Sequence, residues 1–255
     1  MNLVVAGIDL GGTNVKTAIV ARNGNLLGKD ARPTNAEDGL EAVLDTMEDS
    51  LEAALENAGA DPSDLLSVGI GAPGPMNWQT GVVFSPPNLP GWENVPLANL
   101  MQKRLNVRTY VDNDANVACW GEFWSGAGRE VDSLVCLTLG TGVGGGIVLH
   151  GKLLRGPDGT AGEIGHMCVS RDGRQCNCGS RGCLEQYSSV TGMVRTAVEG
   201  IEAGRKTVLL DMCGGDIERL DGKMISDALE QGDEFAGWVI RETGIWLGTA
   251  IGSLI

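Results

Sequence analysis

Alternating apolar and polar residues at the start of the chain predict an antiparallel meander. Strands are expected at residues 3–9 and 14–21, and Asn23-Gly24 is a hairpin signal that leads into a third strand. Apolar residues then recur at helical spacing over 37–58 and predict an amphipathic helix that ends at Gly59. A buried strand follows at 66–71.

Prolines interrupt the regular pattern after this strand. Six of the nine prolines lie between Pro73 and Pro96, which predicts a long irregular loop, and such loops usually carry function. A strand at 107–112 and a helix over about 115–124 are expected next.

The second half repeats the opening pattern of strand, glycine turn and strand. Residues 134–139 predict a strand, Gly140–Gly146 a glycine turn, and residues from 147 onward a second strand. Asp9-Leu-Gly-Gly-Thr13 aligns with Thr138-Leu-Gly-Thr-Gly142. The repeat predicts two related α/β domains that face each other across a cleft.

Charge and cysteine content narrow the class of partner. Lys and Arg number 19 and Asp and Glu 33, so the net charge is −14, which disfavours nucleic acids and anionic membrane surfaces and favours a small partner. No secretory signal and no apolar run long enough to span a bilayer are visible. A cytoplasmic protein is therefore expected, in which clustered cysteines among the seven bind metal or act in catalysis.

The two glycine turns are candidate phosphate cradles, because glycine lets backbone N–H groups converge, although tight hairpins alone would also explain them. Thr13 and Thr141 add hydroxyl donors. A Walker A loop is excluded because Val15 replaces its last glycine and a strand follows. Gly140, Gly142 and Gly145 match a dinucleotide motif, but a strand follows them where that fold needs a helix.

Asn113-Asp114 lies where a predicted strand ends and a helix begins, the position at which open α/β sheets bind ligands. A carboxylate there can take the proton of a hydroxyl that attacks a phosphoryl group, so Asp114 is the candidate general base and Asn113 the candidate ligand for a neighbouring hydroxyl. Capping of the helix is the alternative and is compatible with this role.

Four soft metal ligands fall within eighteen residues, with glycines that allow a tight turn between the last two. They are His166, Cys176, Cys178 and Cys183. A Cys₃His set suits tetrahedral zinc, and a site with four protein ligands is structural and not catalytic. The alternative is that these cysteines are buried free thiols. Closing this site would fix the Glu163 and Glu185 carboxylates in space, unless they are ordinary surface charges. Together with the free His166 nitrogen, they suit a neutral molecule with many hydroxyls.

These residues together resemble the bacterial ROK sugar kinases, the glucokinases among them, within the actin-like ATPase superfamily. The matching motifs are Asp9-Leu-Gly-Gly-Thr-Asn14, Gly71-Ala-Pro-Gly74, Pro87-Asn88-Leu89, Asp112-Asn-Asp-Ala-Asn116, Leu139-Gly-Thr-Gly142, Glu163-Ile-Gly-His166 and Cys176-Asn-Cys-Gly-Ser-Arg-Gly-Cys-Leu-Glu185. The resemblance implies two actin-like, ribonuclease H-like α/β domains, expected at 1–115 and 116–255, with a zinc-stapled loop in the second.

The resemblance also implies ATP-dependent phosphorylation of a hexose, with glucose favoured over mannose, fructose and N-acetylmannosamine. Asp114 is the expected base. The expected sugar ligands are Gly71, Asn88, Asn113, Asp114, Glu163, His166 and Glu185. The ATP phosphates are expected at Asp9, Gly11, Gly12, Thr13, Asn14, Thr141 and Gly142, with Mg²⁺ near Asp9. The zinc ligands map onto the Cys₃His set, and a homodimer or homotetramer is implied.

Two rivals and one departure from the family qualify this expectation. A sugar-responsive repressor would carry a DNA-binding module ahead of the first strand, and a catalytically inactive sugar-binding protein is the second rival. Family chains continue beyond the point at which this sequence stops. Because an apolar helix face runs up to Ile255 without a cap, we expect a fragment that is incomplete at its C-terminus and binds ATP weakly.

Overall fold

The computed structural model describes residues 3–86 and 88–255, so Pro87 of the Pro87-Asn88-Leu89 motif lies outside the described residues. The chain forms two compact units. The first comprises the residues up to Cys136 together with Gly146–Gly162, and the second comprises Leu137–Gly145 and Glu163–Ile255. Within the described ranges, no helix has the length and apolar character needed to cross a membrane.

Ten strands and eight α-helices make up the regular structure of the described residues. The strands are β1 (Val4–Leu10), β2 (Asn14–Ala21), β3 (Leu26–Pro33), β4 (Leu65–Ala72), β5 (Met76–Asn77), β6 (Val82–Val83), β7 (Thr109–Asn113), β8 (Leu134–Leu139), β9 (Val143–Leu149) and β10 (Lys152–Leu153). The helices are α1 (Leu40–Ala58), α2 (Leu97–Leu105), α3 (Asp114–Ser125), α4 (Glu185–Ser188), α5 (Val190–Glu202), α6 (Leu209–Met212), α7 (Gly222–Glu230) and α8 (Glu234–Leu254).

A five-stranded sheet forms the centre of the first unit, in the order β3-β2-β1-β4-β7. Strands β1, β2 and β3 pair antiparallel, which confirms the predicted meander. Strands β4 and β7 extend the sheet parallel to β1. The carboxyl ends of β1, β4 and β7 therefore lie at one edge of the sheet, where ligands bind in open α/β folds.

Helix α1 covers one face of this sheet with a buried apolar stripe that includes Val43, Met47 and Leu51. The predicted helix begins three residues later than expected, because Gly39 has a φ of 92° and separates a single 3-10 turn from α1. Its end at Gly59 is confirmed, and this glycine adopts the left-handed conformation typical of a helix C-terminus.

The proline-rich segment predicted as an irregular loop contains the small β5–β6 hairpin. Val83 also pairs with Val95 across the segment. Leu89 and Trp92 are almost fully buried in the core of the first unit. Tight apolar anchoring therefore fixes this loop to the sheet.

The second glycine turn is shorter than predicted, because β9 already begins at Val143. Gly144–Gly146 thus belong to a strand and not to the turn. Close packing explains the glycine at 146, where a side-chain carbon would lie 2.4 Å from Cys119 Cβ of α3. The strand after the turn confirms that neither glycine segment is a Walker A or dinucleotide motif.

The helices α5, α7 and α8 form the apolar core of the second unit, in which Ile225, Phe235 and Val239 are buried. The first unit extends beyond residue 116. Helix α3 belongs with the first unit because it packs on β4 and β7. The boundary at 115/116 stays a prediction.

Candidate active site and metal centre

Three strand ends of the first unit bring predicted site residues into register. Asp9 of β1 pairs with Gly71 of β4, and Gly71 pairs with Asp112 of β7. A side chain at Gly71 would meet the Asp114 Cα at 3.5 Å, so this glycine lies directly beside the predicted base. The carboxyl edge of the parallel strands thus gathers Asp9, Gly71 and the Asn113-Asp114 pair.

Asn113 and Asp114 begin α3, and both act on its N-terminus. Asn113 Oδ1 accepts hydrogen bonds from the N–H groups of Ala115 and Asn116, at 3.0 and 3.2 Å. Asp114 Oδ1 accepts from Ala115 N at 2.8 Å. Capping, the alternative to a ligand-binding role, is therefore present, and at Asp114 it uses one of the two carboxylate oxygens.

The Asp114 carboxyl carries a raised pKa. Its side chain reaches solvent, yet surrounding protein atoms desolvate the carboxyl and raise its pKa, and the charge of Asp9 adds to this effect. The Ala115 N–H opposes both. A carboxylate whose pKa is raised toward neutrality is a stronger base than a free aspartate.

Two hydrogen bonds from Thr34 hold the first glycine turn. Thr34 is a buried residue that the sequence did not single out. Thr34 Oγ1 donates to Gly11 O at 2.6 Å, and Thr34 N donates to Thr13 O at 2.9 Å. On the other side, a side chain at Gly12 would lie 2.7 Å from Asn88 Cβ. Gly12 is therefore required for close contact between the turn and the Asn88 segment.

Asp112 and Arg155 form a second feature that the sequence did not indicate. Arg155 Nε donates to Asp112 Oδ2 at 2.7 Å, and Arg155 Nη2 lies 2.7 Å from the same oxygen in an ion pair. The other oxygen of Asp112 accepts from Asn113 N at 2.8 Å. This hydrogen-bonded ion pair fixes the residue that precedes Asn113-Asp114. The two positions lie 43 residues apart, and no spacing signal links them.

The second glycine turn is held by residues of the second unit. Val190 N donates to Gly140 O, and Thr191 Oγ1 donates to Thr141 O, both at 2.9 Å. Glu185 Oε2 accepts from Val143 N at 3.0 Å, and a side chain at Gly142 would meet that oxygen at 2.3 Å. The structure therefore brings Glu185, predicted as a sugar ligand, against the predicted phosphate turn.

The Glu163-Ile-Gly-His166 motif packs on the start of strand β9. A side chain at Gly165 would lie 1.9 Å from Val143 O, so only glycine fits there. Residues 164–166 form a 3-10 turn, and Ile164 and Gly165 are buried while Glu163 and His166 are exposed. The buried middle of the motif thus presents its two polar ends at the surface of the second unit.

The four predicted metal ligands lie together. Their ligand atoms all fall within 4.8 Å of one another. Cys178 Sγ lies 3.7 Å from Cys183 Sγ, and Cys176 Sγ lies 3.7 Å from His166 Nδ1. A tetrahedron with metal–sulfur bonds of about 2.3 Å has edges of about 3.8 Å, so these spacings fit zinc. Gly179 and Gly182 adopt positive φ, as the predicted tight turn requires.

The thiols need a cation to ionise together at neutral pH. Burial, with the neighbouring Cys178 and Cys176 thiols, raises the pKa of Cys183 to about 12. A hydrogen bond from the Ser180 N–H lowers the pKa of Cys178. Because only thiolates bind zinc strongly, a zinc ion that binds here would have to displace protons, and its affinity would fall as the pH falls.

Each unit therefore gathers its own share of the predicted residues. The first holds Asp9, Gly11, Gly12, Thr13, Asn14, Gly71, Asn88, Asn113 and Asp114. The second holds Thr141, Gly142, Glu163, His166, Cys176, Cys178, Cys183 and Glu185.

The sequence matches the ROK family model over residues 5–255, and the chain belongs to this family. It is 42% identical to a glucokinase of Thermotoga maritima over 234 residues, which cover 92% of this chain and 72% of that protein. A glucokinase of Halalkalibacterium halodurans is 39% identical over 250 residues, 97% of this chain and 75% of the relative.

The fold is likewise that of a solved ROK structure. A ROK family glucokinase from Streptomyces griseus, in complex with glucose and AMPPNP, superposes with a TM-score of 0.83 at 37% identity. The match covers 98% of this chain and 78% of that one. The predicted α/β class and the predicted family are confirmed.

Proposed function

We propose that the protein transfers the terminal phosphoryl group of ATP to glucose and forms glucose 6-phosphate. The observation that carries this proposal is the placement of Asp114, with its raised pKa, beside Gly71 at the carboxyl edge of β1, β4 and β7, where Asp9 lies just before the first glycine turn. The relatives named glucokinase, and the neighbour that binds glucose with an ATP analogue, support hexose and ATP as the substrates.

In the proposed reaction Asp114 acts as the general base. Its carboxylate accepts the proton of the sugar 6-hydroxyl as that oxygen forms a bond to the terminal phosphorus. The bond to the bridging oxygen breaks and ADP leaves. Asn113 binds a neighbouring hydroxyl, while its Oδ1 caps α3 and so fixes the orientation of the side chain. Phosphoryl transfer depends mainly on such positioning and on neutralisation of charge.

The glycine turns are proposed to hold the phosphates. The carbonyls of Gly11 and Thr13 in the first turn are already bound by Thr34, and the Gly11 N–H donates to Asn14 O. The N–H groups of Gly12 and Thr13 are therefore the ones proposed to face a phosphate. Thr141 and Gly142 supply the matching turn of the second unit. Asp9, exposed at the end of β1, is the proposed ligand of Mg²⁺, which neutralises phosphate charge when bound.

The second unit is proposed to bind the other sugar hydroxyls through Glu163, His166 and Glu185. A structural zinc ion on the Cys₃His set would fix His166 through Nδ1 and leave Nε2 available for a hydroxyl. With four protein ligands the ion has no open position for substrate, so its contribution is rigidity.

A coupled assay of ADP formation tests the proposal, because ADP is the common product whichever hexose is phosphorylated. The intact chain is given ATP, Mg²⁺ and, in turn, glucose, mannose, fructose and N-acetylmannosamine. We expect the highest kcat/KM with glucose. Higher kcat/KM with another hexose would correct the substrate, and no phosphorylation of any hexose at saturating ATP would overturn the proposed activity.

A further inference from the structure

The first unit contains a cavity of about 580 Å³ that none of the roles above uses. It lies along α3, and its polar and aromatic lining is Trp78, Asp112, Asn116, Trp120, Lys152 and Arg155. Asp114 and Asn113 do not line it. Its volume is within the range of pockets that bind small molecules and is ample for a monosaccharide derivative.

The cavity carries one cation that no residue of the described ranges neutralises. Arg155 is paired with Asp112 and lies over the Trp78 ring, with its guanidinium carbon 4.5 Å from the ring centroid. Lys152 belongs to the short strand β10, and its ammonium makes no hydrogen bond or ion pair with a described residue. In a chain with a net charge of −14, a cavity with an uncompensated ammonium favours an anionic ligand.

Asn116 gives the cavity an unused hydrogen-bond acceptor. The residue is 3% exposed, its Nδ2 donates to Asp112 Oδ1 at 3.3 Å, and its Oδ1 is buried without a partner among the residues described. Rotating the amide would turn its oxygen toward the Asp112 carboxylate, so the orientation is fixed. This oxygen is closed to solvent, so a hydroxyl in the cavity would reach it only after a small shift of the Asn116 side chain, which the new hydrogen bond would stabilise.

Two indoles complete the lining. Trp78 and Trp120 are 38% and 42% exposed, which is a large aromatic area left open to solvent in one cavity. The face of an indole is electron-rich and attracts the partly positive C–H groups of a pyranose ring. One class of compound, the phosphorylated sugars, offers an anion for Lys152, a hydroxyl for Asn116 and a ring for the indoles.

We propose that this cavity binds a hexose monophosphate, with the phosphate at Lys152, a hydroxyl at Asn116 and the sugar ring against the indoles. The binding itself depends only on these residues. If the proposed function is right, glucose 6-phosphate is both the product and the ligand of this second site, and this identification rests on the proposed function.

Isothermal titration calorimetry of the intact chain tests the proposal. Glucose 6-phosphate is titrated in the presence of saturating glucose, which occupies the acceptor site, and glucose and inorganic phosphate are titrated for comparison. Lys152→Ala should weaken binding of glucose 6-phosphate about tenfold, and Trp120→Ala should weaken it by a similar factor. Lys152→Arg should retain most of the affinity. Lys103→Ala, at an exposed lysine on α2, is the matched control and should leave the affinity unchanged.

Three outcomes would overturn the proposal: no heat of binding under saturating glucose, equal affinity for phosphate and glucose 6-phosphate, or an affinity that Lys152→Ala and Trp120→Ala leave unchanged. Thermal unfolding of each variant establishes that it is folded. Glucose phosphorylation is measured separately in the same preparations. A chain that binds glucose 6-phosphate through Lys152 but phosphorylates no hexose would refute the proposed function and support the second site.

Discussion

The two glycine turns share a sequence pattern, yet the protein holds them by different means. The first joins β1 to β2 within a five-stranded sheet, and the fully buried Thr34 fixes it from below. The second joins β8 to β9 and is held by Glu185 and by the start of α5. Glu185 follows Cys183 by two residues, so its position depends on the metal-ligand loop.

This difference separates two sources of rigidity. Around the first turn, apolar side chains from β1, β4 and α1 form one continuous core that needs no ligand. Around the second turn, the loop from His166 to Cys183 contributes few buried apolar side chains, and the side chains that meet at its centre are the four proposed metal ligands. We therefore expect the second turn, and not the first, to depend on the metal.

Removal of the metal should have the largest effect. Chelation, or the substitution Cys178→Ser, should lower the thermal stability of the second unit and abolish most activity, because structural zinc contributes on the order of 10 kcal/mol in small zinc domains. Metal analysis and calorimetry check this. Cys168→Ser removes an exposed cysteine outside the ligand set and should change neither the thermal stability nor the activity. Equal melting curves for Cys178→Ser and the unaltered chain would contradict the prediction.

Replacement of the proposed base, Asp114, should have the second-largest effect. Asp114→Asn keeps the size and the cap of α3 but removes the proton acceptor, so kcat should fall about 10²- to 10⁴-fold with metal content unchanged. Asp38→Asn, at an exposed aspartate of the same unit, is the control. A kcat that survives Asp114→Asn would show that another group takes the proton.

The side chains that hold the two glycine turns, Thr34 and Thr191, should differ in their contribution to folding free energy, and this effect is smaller than the two above. Thr34→Val removes a buried hydroxyl and leaves Gly11 O unpaired, which should cost about 1–2 kcal/mol of folding free energy and raise the KM for ATP. Thr191→Val removes an exposed bond to Thr141 O and should cost about 0.5 kcal/mol or less. Urea unfolding of both variants measures the difference. Equal costs would mean that the two turns are held alike.

The smallest effect should be in the pH dependence of stability. Two aspartates should contribute to it in opposite directions, because one pKa is raised on folding and the other is lowered. The raised pKa of Asp114 means that the folded state holds its proton more tightly, so its contribution to stability falls as the pH rises from the ordinary aspartate pKa through the raised one. Asp114→Asn should therefore gain stability relative to the unaltered chain over that interval.

Asp233, which caps α8, should behave in the opposite way. Burial alone raises its pKa, but hydrogen bonds from the Ala236 and Val208 N–H groups outweigh burial and leave the pKa lowered. Its stabilisation is present above the ordinary aspartate pKa and is lost as the pH falls through the lowered value. Asp233→Ala should therefore destabilise at neutral pH and have little effect in acid. Urea unfolding across the acid range measures both variants, and the same pH trend in both would contradict these assignments.

Local patterns predicted the elements well because periodicity and turn chemistry are local. The meander, the end of α1 at Gly59 and the strand nature of β9 follow from alternation and glycine placement. The break at Gly39 was missed because the helical spacing of the apolar residues continues across it, and a glycine does not reveal its φ in the sequence. The early start of β9 was missed because Gly144–Gly146 were assigned to the turn, although Gly146 is a strand glycine that packs against Cys119.

Clustering of the Cys₃His set was predictable because its members are close in sequence. The residues that hold the site residues in place were not predictable. Thr34 reaches Gly11 across 23 residues, and Arg155 reaches Asp112 across 43, and neither position belongs to a recognisable motif. Short motifs therefore indicate the chemistry of a site, whereas the residues that position it become visible only when the chain is folded.

Hydrogen exchange of the intact chain, measured by mass spectrometry with and without a zinc chelator, tests the central claim most directly. Chelation should remove protection from residues 163–192 and from the turn at 140–142, while β1, β4 and the turn at 11–13 keep theirs. Equal loss of protection at both turns, or no loss at either, would contradict the claim that an apolar core holds the first turn and a metal the second.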